Sequence, residues 1–267
     1  MTSSADILVL GAGGPIGRAI ARAAEPGRVV SASRSADVRV DADDADAVAA
    51  LVSRVSPQAV IYLVNDRARS VEAAISQLRI SLLVAQEQGV ERFLFASSAA
   101  VYGDQRPGPL RESDPLESNT PYAEAKIRSE ELVAAAGGLS TASLRIFNVC
   151  GPGCGDSLVN RLAFGPVPDL RVSDGFVRDY VHVDDVASAF LAATRRPDTQ
   201  GPVNIGRGVA VDNLSLAARV PDGHYRRAGG GPDSFSVADV GRARTELGWV
   251  ASIDPLEVLR PEVVAGP

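Results

Sequence analysis

Ile7-Leu8-Val9-Leu10-Gly11-Ala12-Gly13-Gly14-Pro15-Ile16-Gly17 is the stretch whose reading decides the fold. Its first four residues form an apolar run without alternation, the pattern of a strand covered on both faces. Residues 16–24 then carry helix formers with apolar positions at helical spacing. A tight turn between strand and helix needs residues without Cβ, so that backbone N–H groups can approach a pyrophosphate at the helix N-terminus. The glycines at 11, 14 and 17 read Gly-x-x-Gly-x-x-Gly, not the Gly-x-Gly-x-x-Gly of ordinary dinucleotide turns. A glycine turn with no ligand would carry the same letters. Its place directly after the first strand favours the nucleotide.

Working outward, the same texture repeats. Residues 29–32 read as a second strand, and 46–55 as a helix whose end Pro57 marks. A third apolar run spans 59–64, followed by a helical stretch at 71–88 that Gly89 closes. Residues 92–96 form a fourth strand, 122–136 a helix ended by Gly137-Gly138, and 143–147 another strand. Short apolar runs alternating with helices predict a doubly wound α/β fold, a parallel sheet with helices on both faces. After about residue 150 glycine and proline cluster, at 151–174 and again at 221–232. This predicts a smaller substrate lobe at the carboxyl edge of the sheet, where open α/β sheets hold their ligand crevice. The expected division is 1–150 for a nucleotide-binding unit, with about 176–206 returning to it, and 151–267 mainly for the smaller lobe.

Size and charge narrow the function classes. The chain has 267 residues, 27 basic against 33 acidic, for a net charge of −6, which argues against a nucleic-acid partner. Hydrophobic residues at 45% and charged residues at 22% fit a soluble globular protein. No apolar run approaches the ~18 residues of a membrane span, and the first ten residues lack the basic start of a signal peptide. A cytoplasmic protein is expected. The two cysteines, Cys150 and Cys154, have no nearby histidines and predict neither a disulfide scaffold nor a metal site. We read them as small packing residues, and Trp249 as a core anchor near the C-terminus.

The end of the second strand reads Ser31-Ala32-Ser33-Arg34-Ser35, with no carboxylate before Asp37. An acid about 20 residues beyond the turn is the usual partner of the NAD ribose 2′-OH. A guanidinium and hydroxyls instead suit a 2′-phosphate, because Arg offers a charge-assisted, bidentate fork. NADP(H) is therefore preferred over NAD(H), which stays the alternative; an Arg34 that is merely solvated is the plainer reading.

Two further segments bear on chemistry. Phe95-Ala96-Ser97-Ser98-Ala99-Ala100-Val101-Tyr102-Gly103 ends the fourth strand, and Pro121-Tyr122-Ala123-Glu124-Ala125-Lys126 opens a helix. Tyr122 and Lys126, at i and i+4, lie on one helix face. A free phenol, with a pKa of ~10, is a poor base near neutrality. An ammonium at ~4 Å favours a phenolate by about 4 kcal/mol at an effective dielectric of 20, before desolvation is subtracted. Ser98 could hold a carbonyl or hydroxyl oxygen beside that phenol. Alone, such a pair is more often than not an exposed helical couple.

Together with the glycine turn, these segments resemble the extended short-chain dehydrogenase/reductase family, in its nucleotide-sugar epimerase, dehydratase and reductase branch. The likeness covers nearly the whole chain. It implies a Rossmann fold, with Ser98 as the catalytic hydroxyl, Tyr122 as the acid/base and Lys126 as the group that anchors the nicotinamide ribose. It implies a cofactor site made by Gly11, Gly14, Pro15, Ile16, Gly17, Ser33, Arg34, Asp41, Ala42, Leu63, Val64, Ser97, Tyr122, Lys126 and Phe147. Arg145-Ile146-Phe147-Asn148-Val149-Cys150-Gly151-Pro152-Gly153 and Arg178-Asp179-Tyr180-Val181-His182-Val183-Asp184-Asp185 resemble two further family segments. By that resemblance Ser98 and Asn148 contact the sugar nucleotide, while Arg178 and Arg227 grip its diphosphate. Arg178 has a competing reading as a salt-bridge partner of Asp179 or Asp184, and His182 reads as a core histidine bonded within its turn. The chain departs from the family at Ser76, where an Asn is expected, and in the short stretches 65–71 and 153–174. A homodimer is implied by the resemblance alone.

The expected activity is an NADPH-dependent reduction of a keto group on a nucleotide-linked (deoxy)sugar, with Tyr122 supplying the proton. The alternative is an NAD-dependent nucleotide-sugar epimerase that retains its cofactor. From another class comes a catalytically silent NAD(P)-binding regulator. A dehydratase is disfavoured, since Ala99 and Ala100 follow Ser98 where an Asp-Glu pair would serve elimination.

Overall fold

Every apolar run identified in the first half must find cover on two faces, and the chain meets this with one sheet between two helical layers. The computed structural model describes residues 5–65, 69–103, 108–164, 167–220, 225–228 and 233–259. The elements in order are β1 (Ile7–Leu10), α1 (Pro15–Ala23), β2 (Val29–Ser33), β3 (Val38–Arg39), α2 (Ala45–Val55), β4 (Ala59–Tyr62), α3 (Val71–Glu87) and β5 (Arg92–Ser98). There follow α4 (Pro121–Ala134), β6 (Ser140–Ile146), β7 (Asn148–Cys150), α5 (Leu158–Phe164), β8 (Val167–Arg171), β9 (Phe176–His182) and α6 (Val183–Thr194). Last come β10 (Gly201–Ile205), β11 (Ala210–Asp212), α7 (Asn213–Ala217), β12 (Tyr225–Ala228) and β13 (Ser234–Ser236).

Seven strands form a parallel sheet in the order β10-β6-β5-β4-β1-β2-β3. The chain winds outward from β1 to β3, then returns to β4 on the other side of β1. The order therefore reverses between β1 and β4, and that is where a crevice opens. Within each strand successive side chains divide between the faces. Ile7, Val9, Ile61 and Leu94 meet Ile20 of α1 and Phe190 of α6 on one side. Leu8, Leu10, Val60 and Phe93 meet Leu51 of α2 and Leu78 and Leu82 of α3 on the other. Each such buried side chain contributes about 1.5–3 kcal/mol. Trp249 joins the first cluster, its indole N–H donating to Ser188 Oγ at 2.8 Å.

The helix starts follow local chemistry. Asp44, Ser70 and Thr120 each accept a backbone N–H of the first turn, from Ala47, Ala73 and Ala123. Pro15 and Pro121 occupy first turns, where a missing N–H costs nothing. The two-residue edge strand β3 falls between the expected second strand and the helix from residue 46, where no element was expected.

The second lobe is built around β9, which pairs with β7 and β13 in parallel and with β11 antiparallel; β8 and β12 form a separate ribbon. The stretch 176–206 divides. Its first strand, β9, stays in this small sheet, whereas α6 packs on α1 and β10 adds the outer strand of the large sheet. Asp179 organises the loops around β9: its fully buried carboxylate accepts N–H groups from Arg207 (2.9 Å), Gly208 (2.8 Å) and Ala238 (3.2 Å). Burial pushes its pKa up to about 6 against the pull of those donors. No helix among the described residues is long and apolar enough to cross a membrane.

Candidate functional site

A crevice of about 1500 Å³ lies over the carboxyl ends of the parallel strands at the reversal between β1 and β4. Its floor is the glycine turn, and the three glycines do different things there. Gly11 has φ +82°, and a Cβ on it would stand 2.5 Å from Val64 N, so the turn must slide against the end of β4. A Cβ on Gly17 would meet Ala12 Cα at 2.4 Å, so only its absence lets α1 approach the turn. Gly14, the N-cap of α1, needs neither allowance: its φ is −81° and nothing lies within 4 Å of where a Cβ would be. The fold does not need a glycine there. An anion brought to the N–H groups of α1 does.

Ser33, Arg34 and Ser35 border the crevice at the end of β2, with Asp41 and Ala42 close by. Leu63 and Val64 continue the wall from β4. No carboxylate stands among residues 33–35, so the donor set there fits a 2′-phosphate as readily as a ribose hydroxyl.

The opposite wall brings together Ser97, Ser98, Tyr122, Lys126, Phe147 and Asn148. Lys126 is buried and donates from Nζ to Ala96 O at 2.7 Å, with the cation 5.7 Å from the centre of the Tyr122 ring. Ser98 Oγ accepts Ala100 N–H at 3.2 Å, which leaves its own hydrogen to donate into the crevice. Ser97 differs from the expectation. It lines the crevice, but its hydroxyl donates to Glu130 Oε1 at 2.5 Å, so it has no side-chain proton left to give a cofactor. Phe147 lies tilted against Tyr102, ring centres 6.3 Å apart, and Asn148 Nδ2 donates to Asp179 O at 3.3 Å.

Arg178 reaches the crevice from β9, stacked 3.9 Å over the Phe176 ring and donating to Ser234 Oγ at 2.8 Å. Its suspected carboxylate partners are engaged elsewhere: Asp179 holds the loops described above, and Asp184 accepts Arg22 at 2.7 Å. The backbone of Arg227 lies in β12 beside Leu170, while its side chain is outside the described residues. His182 caps α6, its Nδ1 accepting Asp184 N–H at 3.2 Å. Burial pushes the thiols of Cys150 and Cys154 up to about 12 and 11, which keeps them protonated and inert.

Some wall residues were missed. Ser76 is exposed, and its neighbour Gln77 is the buried side chain that faces the crevice from α3. A polar residue on the inward face, one position before Leu78, was the signal. Arg161 and Arg171 also line the crevice.

The family model for the NAD dependent epimerase/dehydratase family matches residues 7–206. A UDP-glucose 4-epimerase of Lacticaseibacillus casei is 32% identical over 213 residues, 67% of this chain and 64% of that protein. The enzyme of the same name from Streptomyces lividans is 33% identical over 202 residues, covering 64% and 61%. The matches thus span somewhat less than two thirds of these relatives. Among solved structures, the Thermus thermophilus UDP-glucose 4-epimerase complex with NAD has a TM-score of 0.79 at 25% identity, covering 97% of this chain and 99% of that one. A dTDP-glucose 4,6-dehydratase of Bacillus anthracis in complex with NAD has a TM-score of 0.85 at 18% identity, covering 98% and 96%, a likeness of fold alone. The family match begins at β1 and ends just past β10, enclosing the whole parallel sheet and the crevice walls built on it, apart from lining residues such as Asn213 and Ser236. The chain belongs to the NAD-dependent epimerase/dehydratase family, within the extended short-chain dehydrogenases/reductases.

Proposed function

We propose that the protein is an NAD-dependent epimerase of a nucleotide-linked sugar, with UDP-glucose the first substrate to try. The keto-sugar reductase expected first from the sequence gives way to this reading, because the similar proteins are UDP-glucose 4-epimerases. The observation that carries it is the meeting of Ser98, Tyr122 and a buried Lys126 on one wall of a crevice whose floor is the open Gly14 turn. A binding-only regulator has no use for that corner.

The glycine turn, Asp41, Ala42, Leu63 and Val64 would hold the dinucleotide, and Lys126 its nicotinamide ribose. When bound, NAD supplies reversible hydride acceptance from a sugar carbon. Tyr122 takes the proton of the hydroxyl on that carbon and returns it when the alcohol re-forms, a contribution of roughly 10²–10⁴-fold. Ser98 donates to the same oxygen, and the Lys126 cation beside the ring complements negative charge on the phenol. Arg178 and Arg227 fix the diphosphate, so the sugar can present either face while the nucleotide stays in place. The homodimer belongs to the same proposal, and sedimentation equilibrium reads it directly.

Incubating the protein with UDP-glucose and NAD should give the C4 epimer, and Tyr122→Phe should abolish turnover while NAD still binds. Wild-type turnover by Tyr122→Phe would refute the assignment. One observation favours the reductase as a second reading: Ser33, Arg34 and Ser35 offer donors at the crevice with no carboxylate among them. If NADPH binds more tightly than NADH and a 4-keto sugar nucleotide is reduced, that reading takes precedence.

A further inference from the structure

Beneath α4 lies a buried ion pair that the proposed chemistry does not use. Tyr122, Lys126 and Glu130 follow at four-residue steps on one face of the helix. Two successive turns bind two successive residues of β5: Lys126 donates to Ala96 O, and Glu130 Oε1 accepts from Ser97 Oγ at 2.5 Å. The next residue of β5 is Ser98. Glu130 also takes the guanidinium of Arg145, which stands beside Ser97 in the β5–β6 register, through Nε–Oε1 at 3.0 Å and Nη2–Oε2 at 2.6 Å. Arg145 Nη1 continues to Tyr102 Oη at 2.9 Å and Glu112 O at 3.1 Å, and Tyr102 Oη donates to Asn204 Oδ1 of β10 at 2.6 Å. The charged side chains of the pair are 4% and 9% exposed.

Replacing a buried ion pair by apolar residues of similar volume is often neutral or stabilising, so stability alone gives no reason for a carboxylate here. What the carboxylate adds is direction. Fastened to donors on two adjacent strands, it fixes α4 along its axis and in rotation at once. Tyr122 lies two turns away, about 12 Å along the helix, and a misplacement of ~1 Å at a reacting group can cost ~10² in rate.

We propose that Glu130, held by Ser97 and Arg145, is a positioning residue that sets the register of α4 and so the place of Lys126 and Tyr122 on the wall they share with Ser98. This rests on the reading of Tyr122 as acid/base. Ser97→Ala removes the bond from β5 to Glu130 and keeps the ion pair; Ser97→Thr keeps the hydroxyl. With UDP-glucose and saturating NAD, Ser97→Ala should lose about tenfold or more in kcat, with KM and NAD affinity held within about twofold, and Ser97→Thr should recover it. A second readout needs no turnover. Lys126 is the only lysine in the chain, so ε-¹³C-lysine labelling gives one side-chain resonance. Ser97→Ala and Glu130→Gln should displace that resonance, and Ser97→Thr should return it. A folded Ser97→Ala with the wild-type lysine resonance overturns the proposal whatever its turnover. If Tyr122→Phe turns over like wild type, the acid/base reading falls instead, and the resonance still decides what Glu130 does.

Discussion

Gly14→Ala separates the needs of the ligand from those of the fold. The position has φ −81° and ψ 174°, which alanine adopts freely, and a Cβ there meets nothing within 4 Å. The substitution should leave the unliganded protein as stable or about 0.4–1 kcal/mol more so, through the lost entropy of the unfolded chain. Gly11→Ala makes the contrast. Its φ of +82° costs alanine roughly 1–2 kcal/mol, and the 2.5 Å approach to Val64 N adds about 1–3 kcal/mol of overpacking. At about 2–4 °C per kcal/mol in a chain of this size, Gly11→Ala should melt well below wild type. Binding should rank the other way among folded variants. A methyl at residue 14 keeps a pyrophosphate from the first N–H groups of α1, and one lost hydrogen bond to a charged group is worth about 1.5–3 kcal/mol, or 10- to 100-fold in affinity. Calorimetric melting of the apo forms and titration with NAD measure the two effects separately. Wild-type NAD affinity in Gly14→Ala would refute the placement of the pyrophosphate at this turn.

Asp179 should impose a pH dependence on stability. Its folded pKa of about 6 lies above the unfolded 3.8, so the folded state holds the proton more tightly between those values. Stability relative to Asp179→Asn should therefore fall by about 2 kcal/mol as pH rises from 4 to 7, then level off, and urea unfolding at both ends checks it. Arg145→Met should cost about 3–5 kcal/mol because Glu130 is left buried and unpaired. The double variant with Glu130→Leu should be markedly more stable than Arg145→Met in the same unfolding assay. Arg34→Ala should weaken NADPH by about tenfold or more and leave NADH nearly unchanged; equal losses for both would remove the 2′-phosphate reading.

Much of this was legible because it depends on local geometry. A helix puts residues four apart on one face whatever surrounds it, so the Tyr122–Lys126 pair could be read from spacing alone. The unalternating apolar runs Ile7–Leu10 and Ala59–Tyr62 announced strands covered on both sides, and thus the double winding. The glycine turn gave the place of the crevice but not the separate tasks of its glycines, which depend on Val64 and Ala12 lying against it. Contacts across long sequence distance stayed hidden. That Ser97 would turn its hydroxyl to Glu130 rather than to a cofactor depends on how α4 lies on β5, and no local pattern encodes that. Gln77 was mistaken for its neighbour because a helix shifts 100° per residue, so a one-position error exchanges the wall for solvent. The small lobe resisted most. Its strands are short, interrupted by glycine and proline, and its central strand β9 takes partners from both sides in sequence.

The outer strand of the large sheet has a consequence for synthesis. β6 is made by residue 146, yet its partner β10 begins only at residue 201. At about 5–20 residues per second the ribosome leaves that edge bare for several seconds, a row of unpaired N–H and C=O groups. β9, meanwhile, waits for β11 and β13, which emerge after β10. The large sheet cannot close until the second half is under way, and the nascent chain is most exposed to pairing with another copy until residue 205 clears the exit tunnel.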